Sequence, residues 1–408
     1  MRPPDLIVQD ELHLISGPLG TLVGLYETAV DRLASWEVEG VTVRPKVVAS
    51  TATIRRAPDQ VHALFVRQVR VFPPHGLDVE DNFFSRQREP SESEPGRRYL
   101  GLCAPGRRLK AALISVYVAF LGAAQQLFER HGRHADPWMT LVGYFNAMRE
   151  LGGMRRLVDD DVRSRLAHAD RRGLAVRRID YESVDELTSR KSGADIPHIL
   201  DLLEAVFDPA IEARRRQRPR PAGLPPRPLD VLLATSMLSV GVDVRRLGLR
   251  VVGGQPKTSA EYIQATSRVG RRWPGLVGTV LNWVRPRDLS HYERFEHYHR
   301  TFYTRVEALS VTPFAPRAID RALSALLASC VRLAGTEFNA NERAARVASD
   351  HPYVRAAIEH IAARAHQVGH GAAVAQLVRQ ELEQRMDLWQ AESGCSSPAR
   401  TSRSTPLR

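Results

Sequence analysis

Asp10 and Glu11 directly follow the apolar run Leu6-Ile7-Val8 and its flanking Gln9, with His13 two residues further on. In parallel α/β proteins, functional groups gather at the C-terminal ends of strands. A carboxylate placed there suits a hard dication such as Mg²⁺, which takes oxygen ligands. A second carboxylate beside it can orient and polarise a water for attack on a phosphate. Asp10 fits the first role and Glu11 the second, and His13 is placed to report the bound state to a facing surface. The plain structural alternative is a solvated turn or the start of a helix.

Ser50-Thr51-Ala52-Thr53 follows a second apolar run, Lys46-Val47-Val48-Ala49. The hydroxyls of Ser50, Thr51 and Thr53 can hydrogen-bond the Asp-Glu pair and couple it to the rest of the molecule; an ordinary turn has the same composition. Further on, Ala234-Thr235-Ser236 closes another apolar run and is followed by Gly241-Val242-Asp243. Thr235 and Ser236 can meet a nucleic-acid phosphate through hydroxyls and helix N-terminal amides. Gly241 permits a close backbone approach, and Asp243 can reach a ribose or an arginine of the next segment. That segment is Gln264-Ala265-Thr266-Ser267-Arg268-Val269-Gly270-Arg271-Arg272. Residues three apart share a helix face, so Arg268 and Arg271 are expected to act as a pair. Two such arginines can clamp a γ-phosphate, a contribution worth roughly 10³–10⁵-fold in rate. A solvated basic helix is the alternative for Arg272.

These groups need a parallel α/β scaffold, and the pattern supplies one. Short apolar runs at 6–8, 46–49, 141–145, 230–234, 249–252 and 277–284 alternate with helical patterns at 19–33 and 109–130, which indicates a mostly parallel sheet. The expected organisation is a partial domain over 1–72, a Pro/Gly/Ser-rich linker over 73–98, and a second α/β domain over 99–290. A helical region over 291–390 and a disordered tail over 391–408 complete it. Hydrophobic residues make up 43% and charged residues 25% of the 408, which are globular values. No signal peptide is expected, and Ala111–Ala124 reads as a buried helix rather than a bilayer span. Cys103, Cys330 and Cys395 suggest neither a disulfide framework nor a metal site, which favours a cytoplasmic location. The net charge of +12 fits a polyanionic partner. Only four of the 58 basic residues are lysines, however, so arginine usage accounts for most of that charge.

Asp-Glu-x-His, Ser/Thr-Ala-Thr, Ala-Thr-x₅-Gly-x-Asp and Gln-x₃-Arg-x-Gly-Arg, in that order, resemble motifs II, III, V and VI of superfamily 2 helicases. Over residues 5 to about 325 the chain is more narrowly similar to the DISARM-type (DrmA-like) bacterial antiphage helicases. The segments that carry this likeness are Gln9 to Gly20, Gly143-Tyr144-Phe145-Asn146, Glu186 to Arg190 and Arg285 to Glu293. The resemblance implies a partial first and a complete second RecA-like domain, with ATP and Mg²⁺ as cofactors and nucleic acid, DNA favoured, as partner. Carried over by motif, Asp10, Asp243, Gln264, Arg268 and Arg271 belong to the nucleotide site, with Glu11, Arg268 and Arg271 as catalytic groups. Thr235 and Ser236 fall to the nucleic-acid backbone, and His13, Ser50, Thr51 and Thr53 to coupling. Motif VI departs from the common pattern at Ala265 and Ser267.

No Gly-x₄-Gly-Lys-[Ser/Thr] phosphate loop occurs in the chain. ATP hydrolysis by this polypeptide alone is therefore not expected. The leading expectation is the C-terminal part of a helicase or translocase, completed by an N-terminal polypeptide and other defence-system subunits, with no membrane partner. A non-catalytic nucleic-acid-binding module and a gene fragment without independent function stand beside it. His291, His297 and His299 lie among aromatics and read as a packing face before a metal site. The run Arg214 to Arg220 reads as an exposed basic loop.

Overall fold

The computed structural model describes residues 3–51, 55–74, 81, 83–84, 86, 88–217, 221–235, 244–303 and 306–394. It divides into two compact units, Met1–Pro74 with Ala308–Arg408, and His75–Glu307. The first unit opens with β1 (Leu6–Gln9), a 3₁₀ turn at Leu12–Leu14, α1 (Gly17–Leu33), a hairpin of β2 (Trp36–Val38) and β3 (Val41–Val43), β4 (Lys46–Ala49) and α2 (Ala57–Phe65). The hairpin turns at Glu39-Gly40, where both φ values are positive, as a tight two-residue connection requires. β1 and β4 pair in parallel, Leu6 opposite Lys46 and Gln9 opposite Ala49. Val47 packs from this sheet into a small core with Leu12, Val23, Leu64 and Phe65. The opposite side carries Leu6, Val8 and Val48, which remain 51, 70 and 46% exposed.

The second unit runs through β5 (Arg97–Cys103), α3 (Leu109–His131), α4 (Asp136–Met139), β6 (Leu141–Phe145), α5 (Met148–Leu157) and α6 (Arg163–Leu166). Then come β7 (Val184–Leu187), α7 (Asp195–Glu204), α8 (Pro209–Arg216), β8 (Val231–Ala234), β9 (Leu249–Gly253) and α9 (Ser259–Ser267). It ends with β10 (Gly275–Leu281), α10 (Pro286–Glu293) and α11 (Phe295–Thr301). The strand order is β5-β10-β9-β6-β8-β7, and every pair is parallel. Both faces are covered, which is why the strands read as near-continuous apolar runs. One core joins Tyr117 and Leu121 of α3 and Leu151 and Met154 of α5 to the sheet. The other joins Ile199 and Leu203 of α7 and Tyr262 and Ala265 of α9 to the opposite face. The segment Leu109–Met139 is long and apolar enough to cross a membrane; here Ile114, Tyr117, Val118 and Leu121 of α3 are buried on the sheet.

The chain then returns to the first unit with α12 (Pro316–Arg332), α13 (Pro352–Ala365) and α14 (Gly371–Gly394). These helices share one core with α1, in which Leu25 and Ala29 meet Ile319, Leu323, Leu326, Val354, Ile361 and Leu382. Asp31 of α1 fastens the assembly. Its carboxylate accepts from Arg44 (2.9 and 2.6 Å) and Arg67 (3.0 Å), and Arg364 of α13 lies 3.3 Å away. The architecture is the expected one, a parallel-sheet α/β core followed by a helical C-terminal region.

Several local expectations need correction. The strand expected over 277–284 spans Gly275–Leu281, because Asn282 folds a turn there: its carbonyl accepts from Arg285 N–H (3.0 Å) and its side chain from Val284 N–H (3.1 Å). β5, β7 and the β2–β3 hairpin carry too few apolar residues at regular spacing to be read from the pattern. The basic run from Arg214 begins as the end of α8 rather than as loop. There Arg215 is buried and donates to the carbonyls of Pro225 (2.7 Å) and Pro226 (2.9 Å).

Candidate functional site

In the first unit the chain leaves β1 at Asp10 and turns sharply at Glu11, which holds φ 52 and ψ 45. A non-glycine residue in this left-handed region is strained, and such outliers concentrate at functional sites. Three hydrogen bonds hold the turn. Glu11 N–H donates to Asp10 Oδ1 (2.9 Å), Leu12 N–H to Ser50 O (3.0 Å), and Ser50 N–H to Gln9 O (2.9 Å). The Ser50 hydroxyl also donates to Asp10 Oδ1. That hydroxyl first, then the Glu11 amide and the nearby His13, hold the Asp10 carboxyl below the ordinary range. Asp10 is exposed and ionised, the state in which a carboxylate serves as a Mg²⁺ ligand.

His13 is buried, with Nδ1 3.4 Å from Glu11 Oε2 and 3.5 Å from Thr51 Oγ1. The structure thus brings Asp10 to Ser50 and Glu11 through His13 to Thr51. Thr53 lies outside the described residues. Gln60 of α2, which no sequence pattern singles out, supports the 3₁₀ turn from below by donating to Ile15 O (2.8 Å) and Leu12 O (3.4 Å). Gly20 lets α1 close on the same loop, since a Cβ there would meet the Ile15 carbonyl at 2.7 Å.

In the second unit α9 carries Gln264 and delivers Arg268. Its N-terminus is capped by Thr258, whose hydroxyl accepts from Glu261 N–H (3.1 Å). The Glu307 carboxylate accepts from Ser259 N–H (2.7 Å) and Oγ (3.2 Å), a favourable charge for that helix end. Tyr262 ties α9 to its surroundings: its hydroxyl lies 2.8 Å from Thr279 Oγ1 and 2.9 Å from His299 Nε2. His299 Nδ1 donates to Phe295 O (2.7 Å), which fixes Nε2 as the acceptor, and burial keeps the ring neutral. His299 therefore belongs to an aromatic packing cluster with Tyr99, Tyr298 and Phe302. Ala265 is buried against the sheet in an apolar cluster.

The expectation that Arg268 and Arg271 share a helix face is overturned. α9 ends at Ser267, and Arg268 is its C-cap. Arg97, at the start of β5, takes up the released carbonyls by donating to Val269 O (2.8 Å) and Ser267 O (3.1 Å). Gly270 then adopts φ +70 and approaches Gly275 so closely that a Cβ would lie 2.7 Å from the Gly275 Cα. Arg271 follows in that loop, exposed, while Gln264 and Arg268 are half-buried. Because α9 connects parallel β9 to parallel β10, its C-terminal end lies at the N-terminal edge of the sheet. Thr235, half-buried at the end of β8, lies at the opposite edge. Ser236 and Asp243 lie outside the described residues. Arg250 of β9 is fully buried, and none of its guanidinium nitrogens has a hydrogen-bond partner; burial, with Arg97 and Arg268 nearby, pushes its pKa down to about 9. Among the described residues, no three His, Cys, Asp or Glu side chains converge as a metal site.

No protein-family model matches the sequence. The DISARM protein DrmA of Bacillus paralicheniformis is 44% identical over 342 residues, spanning 83% of this chain and 29% of DrmA. The DUF1998 helicase MrfA, solved bound to DNA, superposes with a TM-score of 0.50 at 17% identity, covering 80% of this chain and 37% of MrfA. The Mycobacterium smegmatis helicase Lhr, solved bound to ssDNA and AMP-PNP, gives 0.50 at 16% identity, covering 94% of this chain and 38% of Lhr. The chain has a superfamily 2 helicase-like fold and is related to DrmA. It spans under a third of DrmA's length. Within this DrmA-related chain, the strand-end positions of Asp10, Ser50 and Thr235 follow from the apolar runs that precede them. Gln60, Arg97 and Glu307 had no such signal, because each acts on a segment remote in sequence.

Proposed function

We propose that this chain is the C-terminal part of an ATP-dependent nucleic-acid helicase or translocase of a bacterial antiphage system. The observation that carries this reading is the linkage at the end of β1, where Ser50 holds the ionised Asp10 and His13 sits between Glu11 and Thr51. In this reading Asp10 holds Mg²⁺ and Glu11 orients the attacking water. Gln264, Arg268, Arg271 and Asp243 are assigned to nucleotide binding, while Thr235 and Ser236 contact the nucleic-acid backbone, DNA in preference to RNA. His13, Ser50, Thr51 and Thr53 couple the two. The protein works in the cytoplasm alongside other defence-system subunits.

Among these 408 residues there is no Gly-x₄-Gly-Lys-[Ser/Thr] loop to cradle the β- and γ-phosphates. The reading therefore requires such a loop from outside these 408 residues. The bare side of the β1–β4 sheet supports a further element packing there, since parallel strands are ordinarily covered on both faces. Mixing the chain with a polypeptide that bears the phosphate loop is expected to give nucleic-acid-stimulated ATP hydrolysis, which Glu11→Gln abolishes. Absence of any gain on mixing would defeat the proposal.

The lack of that loop within these 408 residues equally fits a second reading, a nucleic-acid-binding module that does not hydrolyse ATP. That reading expects the isolated chain to bind single strands in a salt-sensitive way, with an affinity that ATP leaves unchanged in the presence or absence of the second polypeptide.

A further inference from the structure

At the C-terminal edge of the six-stranded sheet, the turn after β10 presents an aromatic ring to solvent and holds it still. Trp283 is 40% exposed and Val284 65%. The indole Nε1–H donates to Arg107 O (2.9 Å), so the ring is fixed while much of its surface stays open. The backbone beneath is fixed as well. Asn282 N–H donates to the buried Asp288 carboxylate (2.9 Å), and the Asn282 side chain accepts from Val284 N–H (3.1 Å). Leaving an aromatic exposed costs hydrophobic free energy, and holding it rigid costs conformational entropy. Both costs are recovered when a flat partner lands on the ring, because a preorganised ring has little freedom left to lose.

The surroundings indicate which partner. Arg107, Arg108 and Lys110 are exposed on the segment that grips the indole. Sequence 97–128 contains no Asp or Glu. Arg285, next to Val284, is neutralised by Glu150 at 2.9 Å, so the free positive charge is on the 107–110 side. An aromatic platform beside a basic, acid-free segment suits the bases and phosphates of a single nucleic-acid strand. Thr235 ends β8 at this same edge, three strand spacings from β10, or about 14 Å.

We propose that Trp283 is a base-stacking platform for a single nucleic-acid strand, with Arg107, Arg108 and Lys110 contacting the adjoining phosphates. The proposal rests on the nucleic-acid reading above and assigns it a residue. It is tested on the full chain by fluorescence anisotropy with a labelled oligo-dT and with an abasic oligomer of the same length, at two salt concentrations. Trp283→Ala is expected to weaken oligo-dT binding about tenfold, and Trp283→Phe to retain most of the affinity. Arg108→Ala with Lys110→Ala is expected to reduce the salt dependence. On the abasic oligomer, wild type and Trp283→Ala are expected to bind alike, and wild type alone is expected to prefer oligo-dT, which needs no variant to fold. Equal binding of both oligomers by wild type, or a Trp283→Ala loss as large on the abasic oligomer, would refute stacking and leave the nucleic-acid reading in place. Wild type that binds neither oligomer would overturn both.

Discussion

Tyr117 and Gly143 show how a single residue choice is forced by a neighbour. The Tyr117 hydroxyl is fully buried without a hydrogen-bond partner, and a Cβ at Gly143 would lie 2.0 Å from it. Gly143 therefore makes room for an oxygen that gains nothing from the protein. An unpaired buried hydroxyl costs about 1–3 kcal/mol, while its removal leaves packing unchanged. Tyr117→Phe is expected to leave stability unchanged or raise it by about 1 kcal/mol in urea denaturation. Gly143→Ala alone is expected to cost about 1–3 kcal/mol, and Tyr117→Phe should recover part of that loss in a double-mutant cycle. Additive effects would show that the two do not touch. At the same scale, the type and position of Asp10 and Ser50 were legible in the sequence, because a polar cluster closing an apolar run marks a strand end. Gln60 was not legible, since a glutamine on an amphipathic helix carries no signal that it reaches back to Ile15.

Elements are joined by the Asp31 cluster. Burial alone would raise the Asp31 carboxyl, but the hydrogen bonds and charge of Arg44, followed by Arg67 and Arg364, bring it below the ordinary range. A folded pKa below the unfolded value near 3.9 means that the carboxylate stabilises the fold above that pH. The contribution is lost as pH falls through the folded pKa. Thermal melts between pH 7 and pH 3 should therefore fall more steeply for wild type than for Asp31→Asn. At neutral pH, Asp31→Ala is expected to cost about 3–5 kcal/mol, because it strands the buried Arg364 beside Arg67 and Arg44. A loss below about 1 kcal/mol would show that the cluster is not structural. The end of α9 belongs to this scale too. The Gln264-to-Arg272 pattern is helical by composition, yet the helix stops at Ser267, where Gly270 meets Gly275 and Arg97 takes the free carbonyls. Arg97→Ala is expected to loosen this end and lower amide-exchange protection, least at Tyr262 and most at the last turn, as hydrogen exchange would report.

At the scale of the whole molecule, the two units differ in how the chain builds them. All six parallel strands and both cores of the second unit come from within His75–Glu307. That stretch expressed alone is expected to unfold cooperatively on heating. The first unit is discontinuous, and its principal core takes Leu25 and Ala29 from α1 and the rest from beyond Ala308. A polypeptide of residues 1–74 alone is therefore expected to lack cooperative unfolding by circular dichroism, and addition of 308–394 in trans or by fusion should restore it. A cooperative transition in 1–74 alone would show that the small core around Leu12 and Leu64 suffices.

The sequence by itself determined the parallel α/β class and the chemistry available at strand ends. Buried parallel strands must be apolar on both faces, so they stand out as runs, and the polar clusters that close them mark where functional groups sit. Motif order added the resemblance to superfamily 2 helicases. Only the tertiary structure decided where α9 stops, that Arg268 and Arg271 leave the helix, and that α12–α14 share a core with α1. It also decided which arginines gather on Asp31 and which carbonyl holds the Trp283 indole. These depend on contacts between segments far apart in the chain, and local periodicity carries no record of which distant surface a helix face or a side chain will meet.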